Sequence, residues 1–389
     1  MKQDWKYRKI AEVTSLVADG DWIESKDQSE SGIRLIQTGN IGVGVFKAKD
    51  DKPHYISEET FLRLGCTEIF EGDCLVSRLP DPIGRACILP SSINRMITAV
   101  DCTIIRFANT IFPPFFVYYS RSKQYQSSID NQTTGSTRKR ISRKNLERVE
   151  IPVPSIEEQK EICSLLDNLN LVIEKKKEQI SELDNLAQSL FYDMFGDPIT
   201  NGKGWGVKRM KDVAPAVEYK GEHPQIDGKF WLLNLDKVEA QTGNILSVDY
   251  YDYDEIGNSV VSFDSSNVLY SKLRPYLNKV VVPTEIGYAT SELVPLQPNI
   301  SLLERQYIAY MLRSKQFVEF INSKVAGAKM PRVAMNVFRD FLVPVPPLPL
   351  QQAFAEKVKA IERQKELINQ SIKDVQTLFD AKMDFYFGD

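Results

Sequence analysis

The chain of 389 residues is 42% hydrophobic and 26% charged, ordinary values for a soluble globular protein but too long for one core. Its opening residues lack the apolar run of a signal peptide and no later stretch of eighteen apolar residues occurs, so no membrane partner is expected and the cytoplasm is the expected compartment. Net charge is −3, without the basic excess common in nucleic-acid binders, but residues 1–150 carry 22 Lys and Arg against 19 Asp and Glu, and residues 201–342 carry 17 against 16. The acidity lies in residues 151–200 (4 against 10) and 343–389 (6 against 7).

In chain order, the first third reads as short apolar runs bounded by Gly, Asn and Pro. Ile33-Arg34-Leu35-Ile36 and Cys74-Leu75-Val76 are examples, and they predict short strands. Gly39-Asn40-Ile41-Gly42-Val43-Gly44 lacks dinucleotide-binding spacing and reads as a turn between strands. Four of the five cysteines (Cys66, Cys74, Cys87, Cys102) fall here without a CxxC pair, which suits reduced thiols and argues against disulfides or zinc. The two histidines, His54 and His223, have no ligand set beside them, so no metal site is expected. No Walker-type motif occurs, so no ATP site is expected either. Phe112-Pro113-Pro114-Phe115 carries Phe where adenine methyltransferases carry the Asn that holds a flipped base. It reads as a helix start, with helices expected near 114–130 and 302–323.

The segment Gly135-Ser136-Thr137-Arg138-Lys139-Arg140-Ile141-Ser142-Arg143-Lys144 holds five cations and three hydroxyl side chains. Cations offset phosphate charge, and hydroxyls and backbone N–H groups fix register on a nucleic acid. Ser136, Thr137, Arg138, Lys139, Arg140, Arg143 and Lys144 are therefore candidate DNA contacts, with Arg78 at a predicted strand end as a further one. After Pro152-Val153-Pro154 the period becomes helical. Ile162, Leu166, Leu169, Ile173, Lys176, Ile180, Leu183, Ala187, Leu190 and Met194 follow at alternating steps of four and three. Ser155-Ile156-Glu157-Glu158 supplies a capping box and Gly196 a stop.

The plan then repeats. At an offset of 192, Arg121-Ser122-Lys123-Gln124 recurs as Arg313-Ser314-Lys315-Gln316, Pro152-Val153-Pro154 as Pro344-Val345-Pro346, and Gln159 as Gln351. The same offset pairs Phe195-Gly196-Asp197 with Phe387-Gly388-Asp389, while Trp5 meets Trp205 at an offset of 200. The middles, 33–106 and 230–296, share only a strand-like pattern. The second basic stretch keeps Gly327, Lys329 and Arg332 but has Met330-Pro331 inside it, and Lys272 and Arg274 are aligned with the Arg78 region. The second helical stripe runs Phe354, Val358, Ile361, Lys365, Ile368, Ile372, Val375, Phe379, Lys382 and Tyr386, with Pro349 in its first turn. Roughly forty residues at 1.5 Å rise span about 60 Å, longer than a small domain is wide. The stripes are therefore expected to pair with each other, antiparallel, through Ile162, Leu166, Leu169, Ile173, Ile180 and Leu183 on one side and Val358, Ile361, Ile368, Ile372 and Val375 on the other.

The fold class is α+β: two tandem α/β domains at 1–154 and 198–346, each followed by a long helix at 155–197 and 347–389. This arrangement resembles the specificity subunit of type I restriction-modification systems. The resemblance rests on the basic Gly-Ser/Thr loop, Ile151-Pro152-Val153-Pro154 with Gln159, and the heptad helix ending in Phe195-Gly196-Asp197, all repeated. It implies two target-recognition domains, each reading one half of a bipartite double-stranded DNA site, with the helices setting the spacing. It implies no catalysis in this chain and no cofactor of its own. Partners would be two methyltransferase (modification) subunits docked on the helical region, and a motor-nuclease (restriction) subunit. The resemblance departs at the start, where no helical segment of the kind some relatives carry is expected ahead of Trp5, and in Met330-Pro331. A coiled-coil adaptor, or a stand-alone DNA methyltransferase or nuclease, are the alternatives.

Overall fold

The computed structural model describes residues 5–91, 94–135, 139–257, 259–326 and 330–388. They form two compact units, Met1–Lys175 with Ile372–Asp389 and Lys176–Ser371, so each unit holds one domain and part of both long helices.

In the first unit Thr14–Asp19, Cys102–Phe107, Cys74–Ser77 and Ala86–Ile88 make one sheet, in that order. Gln28–Ser29, Tyr55–Ile56, Ile33–Ile36, Met96–Thr98 and Glu68–Ile69 make another. The second unit has Val280–Val281, Val268–Ser271 and Leu293–Leu296 in one sheet, and Tyr250–Tyr251, Phe230–Leu233, Gly287–Thr290 and Val260–Phe263 in the other. The sheets correspond despite the diverged sequence. Ile33–Ile36 runs parallel to Met96–Thr98, as Phe230–Leu233 does to Gly287–Thr290. Cys74–Ser77 and Val268–Ser271 each pair antiparallel with the strand that leaves the domain's middle. Their side chains are buried on both faces, which is why these runs are apolar throughout instead of alternating.

Both ends of each domain are tied together. Lys6–Lys9 pairs with Glu150–Val153, and Val207–Arg209 pairs with Leu342–Pro344, so each Pro-Val-Pro run closes a small sheet with the strand that opens its copy. The expected helices near 114–130 and 302–323 are each two: Pro113–Tyr119 with Lys123–Asp130, and Arg305–Arg313 with Lys315–Asn322. Ser122 and Ser314 make the break by accepting the N–H groups of Tyr125 and Phe317 as N-caps. Apolar periodicity continues across the break and conceals it.

The long helices span Ile156–Phe195 and Leu348–Phe387. Glu158 N–H donates to the Ser155 hydroxyl at 3.2 Å, one half of the expected capping box. The Glu158 carboxylate is taken up by the Trp5 indole N–H at 3.1 Å. The next residue, Gln159, locks its helix to its domain. Fully buried, it accepts from Phe112 N–H at 2.8 Å and donates to the carbonyls of Thr110 and Pro154 at 2.9 and 3.0 Å. Gln351 does the same in the second copy, accepting from Glu304 N–H at 2.9 Å and donating to Leu302 and Pro346 at 2.9 and 2.7 Å. Each amide satisfies three backbone groups that would otherwise be buried unpaired.

The helix ends are exchanged. Phe387, at the end of the second long helix, packs on Phe115, Tyr119 and Trp5 of the first unit, with ring centroids 5.3, 5.8 and 6.3 Å apart. Phe195, at the end of the first long helix, packs on Tyr307 and Phe354 of the second unit at 4.8 and 5.3 Å. Phe115 and Tyr307 are themselves repeat equivalents, so the two contacts are one contact made twice. Burying such rings contributes roughly 1.5–3 kcal/mol each. Gly196 takes a left-handed φ of 78° and ends the first helix. The repeated Arg-Ser-Lys-Gln run serves the same seat. Arg121 lies over the rings of Tyr118 and Phe379, Arg313 lies over Tyr310, and Tyr192 donates its hydroxyl to Gln316 at 2.6 Å.

Every position of both heptad stripes is buried or half-buried. In the first unit Ile162, Leu166 and Leu169 share a core with Phe379, Met383 and Phe387. In the second, Leu183, Ala187, Leu190 and Phe195 share one with Phe354, Val358 and Ile361. Within each unit the later turns of one helix thus meet the earlier turns of the other, an antiparallel pairing. Lys365 is the lysine of the stripes that is buried outright: its ammonium, 6% exposed, donates to Asp184 at 2.7 Å and to Glu362 at 3.1 Å. Burial lowers its pKa, but the hydrogen bond to Asp184 and the charges of Glu362 and Asp184 outweigh burial and raise it. Removing Asp184 leaves the buried ammonium with Glu362 alone, whereas removing the ammonium leaves two part-exposed carboxylates that water can solvate. Asp184→Ala is expected to lose about 1–3 kcal/mol, whereas Lys365→Met is expected to be neutral or stabilising. Thermal unfolding of the two variants against wild type measures the difference.

Candidate nucleic-acid interface

The basic segment of the first copy is a small hairpin. Thr134 and Arg140 exchange both backbone hydrogen bonds at 2.9 Å, closing a neck around residues 135–139. The chain then lies against the end of strand Cys74–Ser77, where Ile141 N–H donates to the Arg78 carbonyl at 3.4 Å. Ser142 caps the short helix Arg143–Glu147 by accepting from Asn145 N–H. The second copy builds the same neck from Val325–Ala326 and Arg332–Val333, with Ala326 opposite Arg332 and Val333 N–H on the Lys272 carbonyl at 2.9 Å.

The predicted contacts divide into two groups. Arg78 is only 4% exposed, so it is corrected from a DNA contact to an internal brace. It pairs with Asp19 at 3.1 Å, approaches Asp101 at 3.9 Å and donates to the Val100 carbonyl. Burial pulls its pKa down, and Asp19 pushes it back up. Arg140 holds Asp101 at 2.9 Å. Arg143 donates to the Val17 carbonyl at 3.1 Å and lies 3.6 Å from Asp19 and 3.7 Å from Glu147. Arg332 holds Glu292 at 2.9 Å, and that hydrogen bond raises its pKa. Lys139, Lys144 and Arg274 are exposed, and no ion pair holds any of them among the described residues. Lys272 is half-buried. Arg274 sits at a left-handed φ of 48°, with its N–H on the Pro331 carbonyl at 2.8 Å, so it borders the second hairpin. Ser136, Thr137, Arg138 and Lys329 lie outside the described residues.

Asp19, Asp101 and Glu292 are the members that sequence reasoning missed. Asp101 and Glu292 each stand immediately before the strand that pairs with the Arg78 or Lys272 strand, so they are equivalent residues. The available signal was that coincidence, an acidic residue before an apolar strand in both copies.

Two copies of one α/β domain, each closing a cation-bearing hairpin and each followed by a long helix, define a tandem-repeat protein whose sites come in pairs. A family profile described as the type I restriction modification DNA specificity domain matches residues 2–185 and again 202–377, and the chain belongs to that family. It is 24% identical to the type I restriction enzyme MjaIX specificity subunit of Methanocaldococcus jannaschii, over 94% of this chain and 90% of that protein. It is 27% identical to the EcoBI specificity subunit of Escherichia coli, over 46% of this chain and 38% of that one. Among solved structures, it matches a chain from a study of type I R-M complex assembly and conformational transition with a TM-score of 0.62, at 16% identity, covering 100% and 98% of the two chains. The S subunit of a type I system from M. genitalium matches with a TM-score of 0.55, at 13% identity, covering 99% and 96%. The fold is therefore shared with both.

Because Arg78 braces Asp19 and Asp101 from inside, Arg78→Ala is expected to destabilise the chain by about 2–4 kcal/mol. Lys144→Ala on the exposed face is expected to change stability by no more than about 0.5 kcal/mol. The shift in unfolding midpoint for each variant separates brace from surface.

Proposed function

We infer that this chain is the DNA-recognition subunit of a type I restriction-modification enzyme. Each domain reads one half of a bipartite duplex site, and the paired helices set the distance between the halves. The observation that carries this reading is the duplicated hairpin, with exposed cations in or beside it (Lys139 and Lys144 in one copy, Arg274 in the other) at equivalent strand ends on two domains that keep their scaffold while their middles diverge. Cations at Lys139, Lys144, Lys272 and Arg274, with Ser136, Thr137, Arg138 and Lys329, supply the phosphate and groove contacts. Lys272 and Arg274 follow the strand end at Ser271, and the chain just after Lys139 lies against the strand end at Ser77, as recognition needs. The subunit carries no catalytic residues in this reading. It acts in the cytoplasm and docks two methyltransferase subunits on its helical region, with a motor-nuclease subunit joining them. The partners bring the chemistry and its cofactors.

Binding to duplex DNA is expected to weaken by about 10³-fold or more between about 50 and 200 mM salt, as for a protein neutralising several phosphates. Salt-independent binding, or none, sinks the reading in favour of an adaptor. Exchanging residues 33–106 for those of a relative is expected to alter one half-site and leave the other. Removing one heptad from both helices shortens each by about 10 Å. That length corresponds to about three base-pair rises at 3.4 Å, so the spacing should fall by up to that amount with both half-site sequences intact. Methylome sequencing of cells expressing the altered system reads both outcomes.

A further inference from the structure

The repeat pairs Arg140 with Arg332 in the stretches that face DNA under the reading above, and a shared arginine there would ordinarily be taken as a shared phosphate contact. The geometry points elsewhere. Both residues occupy the closing position of a hairpin neck, opposite Thr134 in one copy and Ala326 in the other. Both turn their guanidinium onto a carboxylate that stands just before the strand paired with Cys74–Ser77 or Val268–Ser271, at 2.9 Å in each case. The backbone of the carboxylate's residue is held too. The Asp101 carbonyl accepts from Arg78 N–H at 2.9 Å, and the Glu292 carbonyl accepts from Lys272 N–H at 3.0 Å. In the second copy Arg332 grips Glu292 through two nitrogens, with its Nε 3.3 Å from the nearer oxygen. Glu292 has no other ion pair among the described residues.

We propose that Arg140 and Arg332 are positioning residues, each a latch that pins the base of its recognition hairpin to the neighbouring strand end through Asp101 or Glu292. The cations within and beside the hairpins, and not these arginines, meet the phosphates. Three features favour the latch. The pair recurs where the surrounding sequence has diverged, Asp in one copy and Glu in the other, so charge and placement are kept while side-chain length is not. Next, a carboxylate near a nucleic-acid surface repels phosphate and weakens binding unless it does other work. Finally, in the second copy the two-point attachment of the Arg332 guanidinium fixes orientation as well as distance, which suits an anchor.

This inference rests on the DNA-binding reading, and one experiment tells their failures apart. The full-length chain is titrated with a fluorescent mixed-sequence duplex at several salt concentrations between about 50 and 200 mM. The variants are Arg332→Gln, Glu292→Gln, the double variant, and the exchanged pair Glu292→Arg with Arg332→Glu. If Arg332 is a latch, both single variants weaken binding, by about five-fold or more. The double variant is then no weaker than either single, and the exchanged pair recovers most of the loss. If Arg332 contacts phosphate, Arg332→Gln lowers the salt slope by about 0.9, Glu292→Gln binds at least as tightly as wild type, and the exchanged pair is the weakest of all; any one of these overturns the proposal. A variant that fails to fold shows itself by a lost unfolding transition, and Asp101→Asn with Arg140→Gln then repeats the comparison in the first copy. A wild-type chain that binds no duplex overturns the DNA-binding reading and this inference with it.

Discussion

An apolar stripe about five heptads long must be covered along its length, because each exposed turn costs roughly 0.8 kcal/mol per methylene left in water. One compact domain cannot reach that far. The chain's solution is to cover each stripe in two instalments. The start of each long helix is bolted to the domain it follows through a buried glutamine, and its end is received by the other copy's aromatic seat. Gln159 and Gln351 are decisive here, since three hydrogen bonds to fixed backbone groups leave a helix no freedom to roll where it leaves the domain. The exchange also explains why the most closely repeated blocks are Arg-Ser-Lys-Gln, Pro-Val-Pro and Phe-Gly-Asp. These runs build the sockets, struts and plugs of a joint made twice.

The recognition hairpins depend on that frame. Each leaves the domain just upstream of the Pro-Val-Pro strand, and that strand is paired with the first strand of its copy. The hairpin base is therefore held on one side by the small sheet and on the other by the strand end bearing Arg78 or Lys272. Among the described residues the exposed cations are Lys139 at the first neck, Lys144 in the short helix after it and Arg274 beside the second. Charge is arranged to match: Arg78, Arg140 and Arg332 are neutralised by Asp19, Asp101 and Glu292, while Lys139, Lys144 and Arg274 are in no ion pair among the described residues.

Much of the architecture was legible in the sequence because it is written in periodicity. The heptad stripes, the strand runs at Ile33, Cys74, Phe230 and Val268, and the repeat offsets are local patterns that burial imposes on neighbouring residues. The break at Ser122 was not legible, since its apolar rhythm passes through the cap unchanged. Nor was the fate of Arg78. A basic residue at a strand end looks the same whether it faces solvent or turns inward, and the carboxylates that turn it inward lie 59 and 23 positions away. Asp101 and Glu292 are single residues with no periodic signature, and their partners come from a hairpin about 40 positions further on. Contacts of that separation are fixed by topology, and topology is what a single sequence expresses least.

The Lys365–Asp184 pair has an evolutionary reading. A tandem duplication begins with two interchangeable helices, and any later copying of one half over the other would keep them so. Here the repeat counterparts of Lys365 and Asp184 are Ile173 and Gln376, so the seam is charged at one of its two equivalent crossings and apolar or neutral at the other. Overwriting the second helix with the first would put isoleucine opposite Asp184; overwriting the first with the second would bury Lys365 against glutamine. The first event takes the ammonium away from Asp184, and the second leaves it with Glu362 alone. The two helices are therefore no longer interchangeable in the seam, and a protein whose halves stay distinct is free to keep two different readers on one frame.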